Sequence, residues 1–130
     1  TTTYMSAEQI KGEKYSTKSD IWAASLTFAE CLFGYYPFRS GTTFIELLMQ
    51  ITNHQKFEFP PDTSAECRDF IMCGLQQRPE DRPDATDLLQ HPFLRNNATT
   101  MEDLAQFLAT VNVFPEETVK IQPSSHSRTI

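Results

Sequence analysis

Glycine is scarce in this chain, with four in 130 residues and no two close together. That excludes a Gly-rich loop of the kind whose backbone amides cradle phosphates. Basic residues are also few: 11 Lys and Arg stand against 17 Asp and Glu, for a formal charge of −6. Such a balance argues against a nucleic-acid surface or an anionic membrane as partner. No apolar run approaches the roughly 20 residues a membrane span needs. Cysteine is limited to Cys31, Cys67 and Cys73, an odd number with no Cys-x-x-Cys pair. They lie in apolar helical patterns and read as buried free thiols of a reducing cytosol. His54, His91 and His126 are scattered, so no metal site is assigned. The start, Thr1-Thr2-Thr3-Tyr4, has neither an initiator Met nor a signal pattern, and is expected to lie inside a longer protein.

What is present is a helical core. The hydrophobic content of 39% supports folding, and the length allows one domain at most. Residues 21–33 are apolar at ten of thirteen positions, without period-two alternation. This predicts a central helix buried on nearly every side, with Asp20 as N-cap and Gly34 as its stop. A second helix is expected over 43–53, with Phe44, Leu47, Leu48 and Ile51 on one face. A loop holding Phe57, Phe59, Pro60 and Pro61 follows. Ser64 then caps a third helix whose Cys67, Phe70, Ile71 and Leu75 share a face. Residues 76–83 turn the chain, and Asp84 caps a short helix carrying Ala85, Leu88 and Leu89, closed by Pro92. Thr100 to Asp103 resembles a capping box opening a last helix with Leu104, Phe107, Leu108 and Val111 on one face. Residues 116–130 show no periodicity and read as a flexible tail.

Three strings carry more than local structure: Tyr4-Met5-Ser6-Ala7-Glu8, Ser19-Asp20-Ile21-Trp22 and Arg78-Pro79-Glu80-Asp81-Arg82-Pro83. Gly34-Tyr35-Tyr36-Pro37-Phe38 and His91-Pro92-Phe93 extend the series. Each is weak alone, but in this order over residues 1–94 they resemble the back half of a eukaryotic protein kinase catalytic domain. The fold implied is mainly α: the helical C-terminal part of the large lobe, without the small lobe and catalytic loop. Residues 1–94 would form the partial kinase domain, 95–115 an extension helix and 116–130 the tail. Tyr-Met-Ser-x-Glu, Tyr15-Ser16 before Ser19-Asp20-Ile21-Trp22, and the helix around Asp103-Leu104-Ala105 are similar to MAP kinase kinases.

The resemblance implies roles. Thr1, Tyr4, Ala7 and Glu8 fall on the Thr, Tyr, Pro and Glu that close the family's activation segment, with Ala7 departing from its Pro. Thr1, Tyr4 and Met5 would then form the substrate pocket, Thr1 by bonding the catalytic Asp. Glu8 would pair with Arg82 as a structural clamp, a guanidinium fork meeting a carboxylate. Asp20 and Trp22 fall on the Asp-x-Trp that anchors the catalytic loop to the core. Ser25 stands where the family usually has Gly.

The groups that perform phosphoryl transfer are a Gly-rich loop, a strand Lys, a catalytic Asp and the metal-binding Asp of Asp-Phe-Gly. None of these strings occurs here, so no catalytic, cofactor-binding or metal residue is assigned. They are expected upstream, in a parent that moves the γ-phosphate of ATP, with Mg2+, to Ser or Thr (and in dual-specificity members Tyr) of a protein. The expected partners are a protein substrate such as a MAP kinase and an upstream activating kinase, in the cytoplasm. The fragment alone is expected to bind no nucleotide and to be inactive. The alternatives are a non-catalytic pseudokinase-type module docking through Phe38, Phe44 and Phe57, and an unrelated helical adaptor.

Overall fold

A computed structural model describes residues 2–38, 43–53 and 57–111. Among the described residues it is helical, with no strand. Seven α-helices run in order: α1 (Ala7–Ile10), α2 (Thr17–Phe33), α3 (Phe44–Thr52), α4 (Ala65–Gly74), α5 (Ala85–Leu89), α6 (Pro92–Asn96) and α7 (Met101–Thr110). Short 3₁₀ turns occupy Thr2–Tyr4 and Pro79–Asp81. The described residues fall into two units, one within Thr1–Asn97 and the other within Ala98–Ile130.

α2 is the axis of the first unit. It starts one turn earlier than Asp20 would place it: Ser16 is the N-cap, its Oγ accepting the Lys18 N–H at 3.3 Å. Asp20 sits exposed in the first turn, where a carboxylate still complements the positive end of the helix. The earlier start has a tertiary cause, because it brings the Ser19 hydroxyl to Glu8. At the other end Gly34 adopts φ 75° and its N–H closes on the Glu30 carbonyl at 2.9 Å. That left-handed conformation suits glycine and ends the helix as its position predicts.

Burial of α2 is less complete than its composition suggests. Trp22, Leu26 and Ala29 are buried, but Phe28 is 46% exposed. Cys31 is also exposed, while Cys67 and Cys73 are half-buried; all three thiols are free. The expectation of three buried thiols is therefore corrected. An apolar cavity of about 320 Å³ between α2, α4 and α6, lined by Phe28, Cys31, Leu32, Cys67, Phe70 and Phe93, is the open side of the packing.

The flanking helices follow their caps. Thr43 and Glu46 form a capping box on α3, and Ser64 Oγ accepts the Cys67 N–H at 3.1 Å on α4. Leu47 and Ile51 of α3 are buried, whereas Phe44 turns outward. α4 packs along α2 with Phe70 and Ile71 buried, and α6 lies against α4. Gly74 permits this approach, because a Cβ there would stand 1.8 Å from Ser25 Oγ. Asp84 occupies the N-cap position of α5 without a side-chain cap bond. Its carboxylate instead meets Lys18 Nζ at 2.7 Å. Pro92 does more than close α5: it opens α6, capped by His91, whose Nδ1 accepts the Phe93 N–H at 3.1 Å.

In the second unit, Thr100 Oγ1 accepts the Asp103 N–H at 3.1 Å while Asp103 Oδ2 accepts the Thr100 N–H at 2.8 Å. This capping box starts α7; Val111, at its C-cap, is already extended and leaves the helical face. The expected tail at 116–130 lies outside the described residues. Among the described residues, no helix is long and apolar enough to cross a membrane.

Candidate functional site

The site begins where the chain begins. The 3₁₀ turn Thr2–Tyr4 lays the first residues across α2. Tyr4 Oη donates to Glu30 Oε2 at 2.6 Å, and the carboxylate raises the phenol's pKa above its ordinary value. Tyr36, from the loop after α2, donates its hydroxyl to the Thr3 carbonyl. The two tyrosine rings meet edge to face at 5.8 Å. Met5 is half-buried against the core. Thr1 lies outside the described residues.

Directly after this turn the chain is locked by charge. Glu8 and Arg82 are buried at 5% and 2% exposure. Arg82 Nη1 donates to Glu8 Oε1 at 2.6 Å and Nη2 to Oε2 at 3.1 Å. The remaining guanidinium donors go to main-chain carbonyls: Nε to Gln76 at 2.7 Å, Nη1 to Lys18 at 3.1 Å and Nη2 to Gln77 at 3.1 Å. All five N–H groups of the fork are thus used. The Trp22 ring lies under the guanidinium, 5.1 Å from centroid to Cζ. Glu8 also accepts from Ser19 Oγ at 2.6 Å, and Ser19 Oγ in turn accepts from Ser6 Oγ at 3.1 Å. Desolvation is thereby offset on both partners, the condition under which a buried ion pair is tolerated.

Burial alone would push the Glu8 pKa up. Hydrogen bonds from Arg82, Ser19, its own amide and Ser6 outweigh that and hold it down, at about 2 against an ordinary 4.5. A carboxylate with a depressed folded-state pKa stabilises the fold above its unfolded pKa. That stability is lost as pH falls through the folded value. The clamp's contribution should therefore be intact above about pH 5 and vanish between 4.5 and 2. Urea midpoints measured across that range should fall for the native chain and fall less for Glu8→Gln, whose side chain cannot titrate. Parallel slopes would remove the clamp as the cause.

Asp20 is exposed and Trp22 buried at 2%, with its Nε1 lacking a hydrogen-bond partner among the described residues. Phe38 is buried at 4% and belongs to the core, so it drops out of the docking patch considered with Phe44 and Phe57. Among the described residues, no group of three or more His, Cys, Asp or Glu is placed to hold a metal ion.

The protein kinase domain model matches residues 1–94, the span that holds the clamp, α2 and every turn described above. The chain belongs to the protein kinase domain family. It is 36% identical over 116 residues to Mitogen-activated protein kinase kinase 3 of Arabidopsis thaliana, covering 85% of this chain and 22% of that relative. It is 37% identical over 102 residues to Mitogen-activated protein kinase kinase 1c of Physcomitrium patens, covering 73% and 30%. A third relative, Mitogen-activated protein kinase kinase 2 of Arabidopsis thaliana, is 35% identical over 122 residues, covering 83% and 34%. The chain spans about a fifth to a third of these relatives. Within the kinase family its resemblance is to the MAP kinase kinase group, as the Tyr-Met-Ser-x-Glu and Ser-Asp-Ile-Trp strings suggest.

Sequence reasoning missed three kinase-lobe residues that the geometry brings in. Ser6 and Ser19 complete the clamp, and both lie inside quoted motif strings, which was the available signal. Glu30 had none: an acidic residue on an apolar helix reads as a solvated position until Tyr4 is seen to bond it.

Proposed function

We propose that this chain is the substrate-side portion of the large lobe of a MAP kinase kinase-like protein kinase. The parent transfers the γ-phosphate of ATP to Ser or Thr, and in the dual-specificity form Tyr, of a protein such as a MAP kinase. It is itself switched on by an upstream kinase in the cytoplasm. Tyr4 and Met5, with Thr1, form the floor of the pocket that receives the residue after the phosphoacceptor. Glu8 and Arg82 hold that floor against the lobe; Asp20 and Trp22 present an anchoring edge for the catalytic loop. Magnesium-bound ATP supplies the phosphoryl group in such enzymes, and the residues described here are given no part in holding it. Their contribution is positioning, which fixes where the attacking hydroxyl sits.

The observation that carries this reading is the buried, fully satisfied Glu8–Arg82 pair, joining segments 74 positions apart directly behind Tyr4 and Met5. The test is phosphate transfer from labelled ATP to a MAP kinase by the full-length protein carrying this segment. Incorporation on hydroxyl residues is expected, while the 130-residue chain alone should transfer none. A full-length protein that is folded, binds its partner and transfers nothing would sink the enzyme reading in favour of a non-catalytic docking module.

A further inference from the structure

Tyr36 lies outside the motif positions given a role above, yet it touches the pocket floor more directly than the clamp does. Its hydroxyl donates to the Thr3 carbonyl, a main-chain group in the 3₁₀ turn that ends at Tyr4. Its ring meets Tyr4 edge-on at 5.8 Å on one side and Phe38 at 5.9 Å on the other. Phe38 is buried and continues to Phe57 at 5.6 Å, and Phe57 to Phe33 at 6.2 Å on the end of α2. The rings run unbroken from the pocket turn to the core helix, edge to face at the first three contacts and tilted at 38° at the last. Such contacts favour one relative orientation of each pair over others.

Two independent hydroxyls therefore hold this turn. Tyr4 ties its own side chain to Glu30, while Tyr36 ties the main chain one residue earlier. A side-chain tether leaves the peptide plane free to rotate, whereas a bond to the Thr3 carbonyl fixes that plane. The Tyr36 hydroxyl stays a donor throughout the physiological range, since burial first, then the neighbouring Tyr4 and Glu30, push its pKa up to about 12.

We propose that Tyr36 is a positioning residue for the protein substrate: by fixing the Thr3 carbonyl it sets the main-chain course of the Tyr4–Met5 pocket floor. The inference rests on the kinase reading above. It makes substrate affinity, and not the transfer step, depend on a residue from the loop after α2.

Tyr36→Phe in the full-length protein removes the hydroxyl and keeps the ring chain. One lost hydrogen bond should raise the KM for the protein substrate about fivefold. The KM for ATP and kcat should stay within about twofold, because the lost contact acts on binding of one substrate alone. Amide hydrogen exchange at residues 3–5 should quicken in the same variant while α4 stays protected. An unchanged protein-substrate KM, or a fall in kcat with KM held, overturns the proposal. If the unsubstituted protein transfers no phosphate, it is the kinase reading that fails. Exchange then decides the contact: faster exchange at residues 3–5 keeps Tyr36 as the turn's fastener, and unchanged exchange overturns it.

Discussion

Arg82→Ala is expected to cost about 3–5 kcal/mol of folding stability, because it leaves the Glu8 carboxylate buried without its cation. Against a typical total of about 5–15 kcal/mol this brings the fold close to its limit. The loss is larger than for a surface pair, where about 0–1 kcal/mol is usual. Arg82 and Glu8 have side chains only 0% and 6% exposed, so water cannot take over the broken bonds. Arg82→Lys separates charge from geometry. An ammonium can reach Glu8, but it has three donors and no planar fork. The carbonyls of Gln76, Lys18 and Gln77, each bonded by the guanidinium, cannot all be served. Lysine should therefore recover less than half of the loss. Urea midpoints for the native chain, Arg82→Ala and Arg82→Lys are the measurement. A lysine variant within about 0.5 kcal/mol of native would mean that charge alone holds the segment and that the five-bond fork is incidental.

Much of the helical frame was legible because its signals are local. Gly34 stops α2, Ser64 caps α4 and Thr100 starts α7 for reasons contained within a few residues of each. The start of α2 was not legible, since Ser16 and Asp20 are both good caps. Tertiary demand for Ser19 beside Glu8 chose between them. The face of α3 was ambiguous for a similar reason: Phe44, Ile45 and Met49 are apolar yet 47%, 66% and 56% exposed, so periodicity does not single out the buried stripe. The Glu8–Arg82 pairing spans 74 positions, and no periodicity or cap reports on such a distance. It came from motif resemblance alone. Glu30 lies in no motif string and became visible only through Tyr4; Tyr36 lies in the Gly34–Phe38 string, but its bond to Thr3 became visible only in the structure.

Gly74→Ala should be the second large effect, and Ser25 explains it. Ser25 stands where the kinase family usually has Gly, which would bring two helices into collision if the facing position carried a side chain. Here the facing position is Gly74 of α4. A Cβ built there would fall 1.8 Å from Ser25 Oγ, 2.8 Å from Ser25 Cβ and 3.3 Å from Ile21 Cγ2. Rotation of the Ser25 hydroxyl can relieve the 1.8 Å contact, but the contact with Ser25 Cβ at 2.8 Å remains whatever the rotamer, so α4 must still shift slightly from α2. Overpacking of a well-filled core costs typically about 1–3 kcal/mol, and here the Cβ–Cβ contact and the displaced hydroxyl both contribute. The gain in helix propensity from Gly to Ala, about 1 kcal/mol, offsets only part of it. Ser25 is fully buried with its hydroxyl unpartnered among the described residues. Ser25→Ala alone should therefore be neutral or slightly stabilising, since it removes an unmade hydrogen bond. In Gly74→Ala it removes the 1.8 Å collision but leaves the 2.8 Å one, so the double variant should recover part of the loss. Ser25→Gly should recover more in that background, although glycine within α2 carries its own helix cost of about 1 kcal/mol. A double-mutant cycle on urea midpoints reads the coupling directly. Additive losses would show that Ser25 and Gly74 do not meet, and that the α2–α4 crossing is set elsewhere.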